Sequence, residues 1–156
     1  VLPSGRRSTV RRLWLGDREI AEAVAPQSVT VELDDEIDIS RGDVLAAVGT
    51  AAARREFSAT LCWLADTPLR PGARLLLKHG TRTVNTIVRG LRGRLDLDSL
   101  DHEPTDALSL NDIGVVDLLV SEPLPVTAYA VSRHSGAFLL IDPSDGNTLA
   151  AGLVAD

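Results

Sequence analysis

Lysine is nearly missing from this 156-residue chain, methionine is missing altogether, and there is a single cysteine. Against one lysine, Lys78, stand 15 arginines, a skew that fits a GC-rich coding sequence better than a functional choice. Cys62 alone excludes an internal disulfide and a cysteine-based zinc site, and points to a reduced, cytoplasmic compartment. Aromatics amount to 3% of the residues: Trp14, Phe57, Trp63, Tyr129 and Phe138 are the whole set, so a core has to be packed with Val, Leu, Ile and Ala. No apolar run approaches the ~20 residues of a membrane-spanning helix, and no charged–apolar–small leader opens the chain, so a membrane role is not expected. With no methionine at position 1, the chain is expected to be a piece of something longer. Basic charge is also in deficit. The net charge of −6 and a pI of about 5.0 give a field that repels phosphate backbones, which argues against nucleic acid.

What is present is the usage of a folded protein, 44% hydrophobic and 24% charged residues, at a length that allows one domain or two small ones. The periodicity is that of strands. Val29, Val31 and Leu33 alternate with Ser28, Thr30 and Glu32; Phe57, Ala59, Leu61 and Trp63 repeat the pattern, as do Leu75, Leu77 and His79. The near-continuous apolar runs Ile113–Val120 and Ala137–Ile141 predict strands buried on both sides. Turn signals punctuate these segments at Pro3-Ser4-Gly5, Ser40–Asp43, Pro71-Gly72, His79-Gly80, Asn111-Asp112 and Asp142–Asn147. Helix signals are confined to the Ala-rich stretches Glu19–Ala25 and Leu45–Arg55, each good for a turn or two. The expected class is all-β.

Small residues replace the strand pattern at Val48–Ala53, which places a boundary there and divides the chain into residues 1–49 and 50–156. The second unit holds enough strands for a closed six-stranded Greek-key barrel. The first holds only three or four and reads as an incomplete barrel. Its uncovered sheet edge offers unpaired backbone groups, expected to be capped by the second barrel or by another copy of the chain.

No catalytic constellation emerges. A phosphate loop of the G-x-x-x-x-G-K-[ST] kind is absent. His79, His102 and His134 are too far apart for ligand spacing, and the acidic stretch Asp96–Glu103 lacks the central glycine and terminal glutamate of a calcium loop. Ser132-Arg133-His134-Ser135 has no strained nucleophile elbow, and Cys62 sits in an apolar strand as a small hydrophobe. Arg41-Gly42-Asp43 matches an integrin-type tripeptide but is better explained as a glycine turn. Two basic groupings remain, Arg6, Arg7, Arg11 and Arg12, then Arg89, Arg92 and Arg94; they are either an RNA- or acid-binding surface or solvated strand faces.

Val1–Arg6 and Asp34–Leu45 resemble the second domain of the GTPase-type large subunit of bacterial sulfate adenylyltransferase, and Leu75–Val84 resembles that family's third domain. Leu110–Gly114 and Gly136–Asp142 fit the same third domain and are shared more widely among translation-factor-like GTPases. The resemblance covers nearly the whole chain. It implies part of an elongation factor Tu domain II-like barrel followed by a complete domain III-like barrel, both preceded in the whole protein by a GTPase domain that carries GTP and Mg. It also implies a smaller catalytic subunit as partner, which makes adenosine 5′-phosphosulfate from ATP and sulfate in a reaction driven by GTP hydrolysis. No catalytic, cofactor or metal residue is carried onto this chain, and the barrels alone are expected to be inactive. The candidates for partner contact are turn positions: Arg41 and Gly42, then His79, Gly80 and Thr81, and Asn111 with Asp112. Ordinary turn chemistry accounts for the same residue types. Two other functions stay open, an RNA-binding remnant of a translation-type GTPase and a free-standing small-molecule barrel.

Overall fold

Alternation at Phe57–Trp63 becomes the inward face of a long strand, and the same device builds most of the molecule. The computed structural model describes residues 1–155, so Asp156, the last position of the second unit, lies outside the described residues. All ten regular elements are strands: β1 (Val10–Leu15), β2 (Arg18–Ile20), β3 (Thr30–Leu33), β4 (Arg54–Trp63), β5 (Arg74–His79), β6 (Arg82–Leu95), β7 (His102–Glu103), β8 (Ile113–Leu124), β9 (Ala137–Ile141) and β10 (Thr148–Val154). The two Ala-rich stretches form no helix among the described residues. Glu19 and Ile20 pair with β1, and Arg54 and Arg55 open β4; strand pairing overrides alanine's helix propensity.

The strands form two sheets. Six strands in the order β5-β9-β10-β4-β8-β6 close on themselves through β5–β6 pairing, and β7 extends the far end of β6. All pairings are antiparallel. β4 pairs with β10 and β8, not with β5, the next strand in sequence. That reordering is what closes a barrel and leaves it no open edge. Inside it lie Phe57, Ala59, Leu61, Leu77, Val88, Val116, Leu118, Phe138, Leu140 and Ala150. The Phe57 and Phe138 rings meet edge to face at 5.9 Å, a favoured arrangement of their quadrupoles. Phe138 lies across Gly152, where an added Cβ would stand 2.2 Å from a ring carbon, so only glycine fits.

The runs at β8 and β9 differ from the expectation of burial on both faces. Gly114, Val116, Leu118 and Val120 point inward, while Ile113, Val115, Asp117 and Leu119 are half-buried on the outer face, and Leu139 is exposed. A small barrel encloses only its inner face; the outer residues are shielded in part by neighbouring side chains.

The second sheet is β2-β1-β3, also antiparallel. Leu13, Trp14, Leu15, Ile20, Val31 and Leu33 are only half-buried, and every member of the hydrophobic core lies at Phe57 or beyond. The barrel adds no strand to either outer strand, β2 or β3, so it does not cap that edge by pairing. The segment after β3 returns to the chain start, where Leu2 and Val44 exchange backbone hydrogen bonds of 2.8 and 3.0 Å.

Candidate functional site

The seven candidate contact residues fall in two places. Gly42, next to Arg41, packs against Arg82, the residue that follows the His79-Gly80-Thr81 turn, where the first sheet's return segment abuts the barrel. Asn111 and Asp112 lie at the other end of β6.

At the junction, His79 pairs with Arg82 across a two-residue turn, Gly80-Thr81, with Gly80 at φ +56°. This is the glycine-first hairpin turn whose twist suits antiparallel strands. Arg82, the first residue of β6, holds the junction. Its Nη1 donates to Asp43 Oδ1 at 3.0 Å and its Nη2 donates to Glu122 on β8. The Arg82 and Asp43 side chains are mostly covered, 24% and 16% exposed, which sets this pair apart from the other ion pairs of the chain. The hydrogen bond to Glu122 raises the Arg82 pKa above its ordinary value, against some desolvation, and Asp43 adds to the rise. Asp43 is preset: its Oδ2 accepts from Ser40 N–H at 2.9 Å, closing the Ser40–Asp43 turn. Gly42, at φ +100°, lets the turn approach so closely that an added Cβ would stand 3.2 Å from Arg82 Cβ. Arg41 and Thr81 are exposed beside this clamp. The His79 ring is buried, 8% exposed, and its Nε2–H donates to the Ser135 carbonyl at 3.0 Å, so it fixes the β9 approach and presents no surface of its own.

At the far end, Asn111 takes the left-handed conformation at φ +68° and its N–H donates to the Trp63 carbonyl at 2.8 Å. Asp112 closes the turn by accepting from Ser109 N–H and lies 3.8 Å from Arg94. Both roles are turn chemistry.

The arginines of the basic groupings are largely answered by carboxylates. Arg11 and Arg12 face Glu32, Arg89 faces Glu56, Arg92 pairs with Asp117 at 2.9 Å, and Arg94 with Glu103 at 3.1 Å. Arg92, through its hydrogen bond, holds the Asp117 carboxyl below the usual carboxylate range, and Ser58 Oγ adds a second bond at 2.7 Å. A phosphate backbone would have to displace these partners. Among the described residues no three His, Cys, Asp or Glu side chains converge as metal ligands, and no helix N-terminus offers a phosphate seat.

Arg82, Asp43 and Glu122, the junction itself, escaped the sequence reading. They are about 40 residues apart in sequence, and no periodicity links them.

The GTP-eEF1A C-terminal domain-like family matches residues 56–155, which are β4 to β10 almost to the residue. The chain belongs to this family. Over essentially the whole chain its homologues include proteins named sulfate adenylyltransferase subunit 1 and CysN/CysC. The "Bifunctional enzyme CysN/CysC" of Mycobacterium tuberculosis (strain ATCC 25618 / H37Rv) is 41% identical over 99% of the chain and 26% of its own length. "Sulfate adenylyltransferase subunit 1" of Saccharophagus degradans is 38% identical over 100% of the chain and 33% of its own length. The chain thus spans about a quarter to a third of these curated relatives. Among solved structures, sup35 complexed with GDP superimposes with a TM-score of 0.87 over 99% of this chain and 39% of its own, at 19% identity. At that identity the likeness shows the fold, and it includes the three-stranded sheet as well as the barrel. Among the described residues no helix is long and apolar enough to cross a membrane.

Proposed function

We propose that this chain is the non-catalytic carboxy-terminal barrel region of a sulfate adenylyltransferase large subunit, working in the cytoplasm. In the whole protein it couples GTP hydrolysis to formation of adenosine 5′-phosphosulfate and pyrophosphate from ATP and sulfate. Residues 1–49 form the end of a domain II-like barrel and residues 50–156 the domain III-like barrel. GTP and Mg belong to an amino-terminal GTPase domain, and ATP and sulfate to the catalytic small subunit.

The observation that carries this reading is identity near 40%, sustained across essentially the whole chain, with proteins of that name. The junction supports it physically. Coupling between two sites needs elements with discrete arrangements that both sites bias. A barrel tied to the preceding sheet through one covered arginine is such an element: the clamp is made or it is broken.

The test is association. The purified chain is mixed with the cognate catalytic small subunit and complex formation is read by sedimentation velocity. A stable complex is expected. No association at tens of micromolar removes the partner claim.

A further inference from the structure

The β6–β7 hairpin is rigid, acidic and tipped with leucine. Leu95 pairs with His102, and the six-residue connection Asp96–Asp101 is pinned from within. Asp96 Oδ1 accepts from the N–H groups of Asp98 and Ser99 at 3.0 and 2.8 Å. Asp96 N–H donates to the Asp101 carbonyl and Leu100 N–H to the Asp96 carbonyl, both at 2.9 Å. These bonds fix the backbone of the connection, and among the polar side chains it displays stand two apolar ones: Leu97 is 68% exposed and Leu100 70%.

Leu100 is held at φ +62°. Elsewhere among the described residues a positive φ is taken by glycine or by Asn111. A bulky side chain there is strained against its own backbone, and at 70% exposure it recovers nothing from the core. Glycine or asparagine would serve the fold better. Leu97 also borders a shallow depression shared with Arg94, Asp96, Asn111 and Ile113, which brings the Asn111 turn into the same surface.

Asp96, Asp98 and Asp101 flank the two leucines, while Glu103 is paired with Arg94. RNA and anionic membranes are repelled by that charge. A protein with an apolar pocket edged by arginine or lysine is complementary to it. We infer that Leu97 and Leu100 are the anchor by which this barrel docks into a basic-rimmed apolar pocket on the catalytic small subunit. This rests on the large-subunit reading above, to which the words "subunit 1" in a relative's name add the need for a second chain.

The experiment compares the chain with its Leu97→Ser/Leu100→Gly double variant, titrated with the cognate small subunit by calorimetry. The double variant is expected to bind about 30-fold more weakly, the loss that follows from removing the burial of one leucine side chain or more. Its thermal midpoint is expected to be unchanged or higher, because glycine relieves the strain at position 100; a binding loss is then not misfolding. Equal binding by chain and variant overturns the anchor and leaves the large-subunit reading standing. No binding by the unmodified chain overturns the anchor together with the partner claim, and leaves the family assignment standing. Self-association of the chain alone, abolished in the variant, overturns the small subunit as occupant in favour of a second copy.

Discussion

Replacing Arg82 with methionine removes the charged fork at the junction but keeps most of the apolar stem that packs on Gly42. Two hydrogen bonds are lost. The one to Asp43 joins mostly covered side chains, and a hydrogen bond to a charged group in such a setting contributes about 1.5–3 kcal/mol. The one to Glu122 reaches a half-exposed carboxylate and adds no more than about 1 kcal/mol. Asp43 keeps its Ser40 N–H partner, so its carboxylate is not stranded. Only the Asp43 bond crosses the junction, which should therefore open more easily by about 1.5–3 kcal/mol, roughly 10- to 150-fold in population. Native-state hydrogen exchange reads this directly. The amides of Leu2 and Val44, bonded to each other's carbonyls behind the clamp, should exchange faster by that factor. The amides of Leu61 and Val116, deep in the barrel, should change far less. Unchanged exchange at Leu2 and Val44 in a folded variant would refute the idea that Arg82 holds the two sheets together.

Two further outcomes follow from the barrel. Gly152→Ala drives a methyl group into the Phe138 ring, which is itself wedged against Phe57, so a loss of about 1–3 kcal/mol is expected in the urea midpoint of unfolding; an unchanged midpoint would mean that the ring has room to move. Asp117→Asn tests linkage. The folded-state pKa of Asp117 is lowered, so its contribution is fully present above the unfolded carboxylate value of about 3.9 and is lost as pH falls through the folded value. The stability difference between chain and variant should be constant near neutrality and shrink below about pH 4, measured as urea midpoint against pH; a difference that grows on acidification contradicts the assignment.

Much of the barrel was legible because period-two alternation is a local signal. Phe57–Trp63 and Leu75–His79 announce strands with their inward residues named, and the sheet bears this out. β10 carries no such signal: its run Thr148–Val154 contains Ala150, Ala151 and Gly152, small residues with little hydrophobic contrast, and Gly152 is demanded by the Phe138 ring lying over it. β6 was opaque for a different reason. Its 14 residues include Gly90 and Gly93 at register shifts, and each shift breaks the alternation that would have revealed it. At the candidate site the turns could be found from Gly and Asn, but the residue that joins them could not. Arg82 matters because Asp43 and Glu122 come to it from distant parts of the chain.

That opaque strand connects the two surfaces of interest. β6 begins at the Arg82 clamp and ends at Leu95, where the leucine-tipped hairpin starts. Between them it is paired on both sides, to β5 over its first half and to β8 along most of its length. Such a strand cannot slide without breaking ladders that the closed barrel has no spare edge to replace. Its ends are therefore fixed relative to each other, and a partner seated on the hairpin moves with the barrel as one body. Any change of arrangement has to be absorbed where the structure is weakest. The three-stranded sheet adds nothing to the hydrophobic core, and its covered ion pair to the barrel runs through one side chain. Any hinge between the two sheets thus belongs at Gly42–Asp43 and Arg82, and the barrel is the part that moves whole.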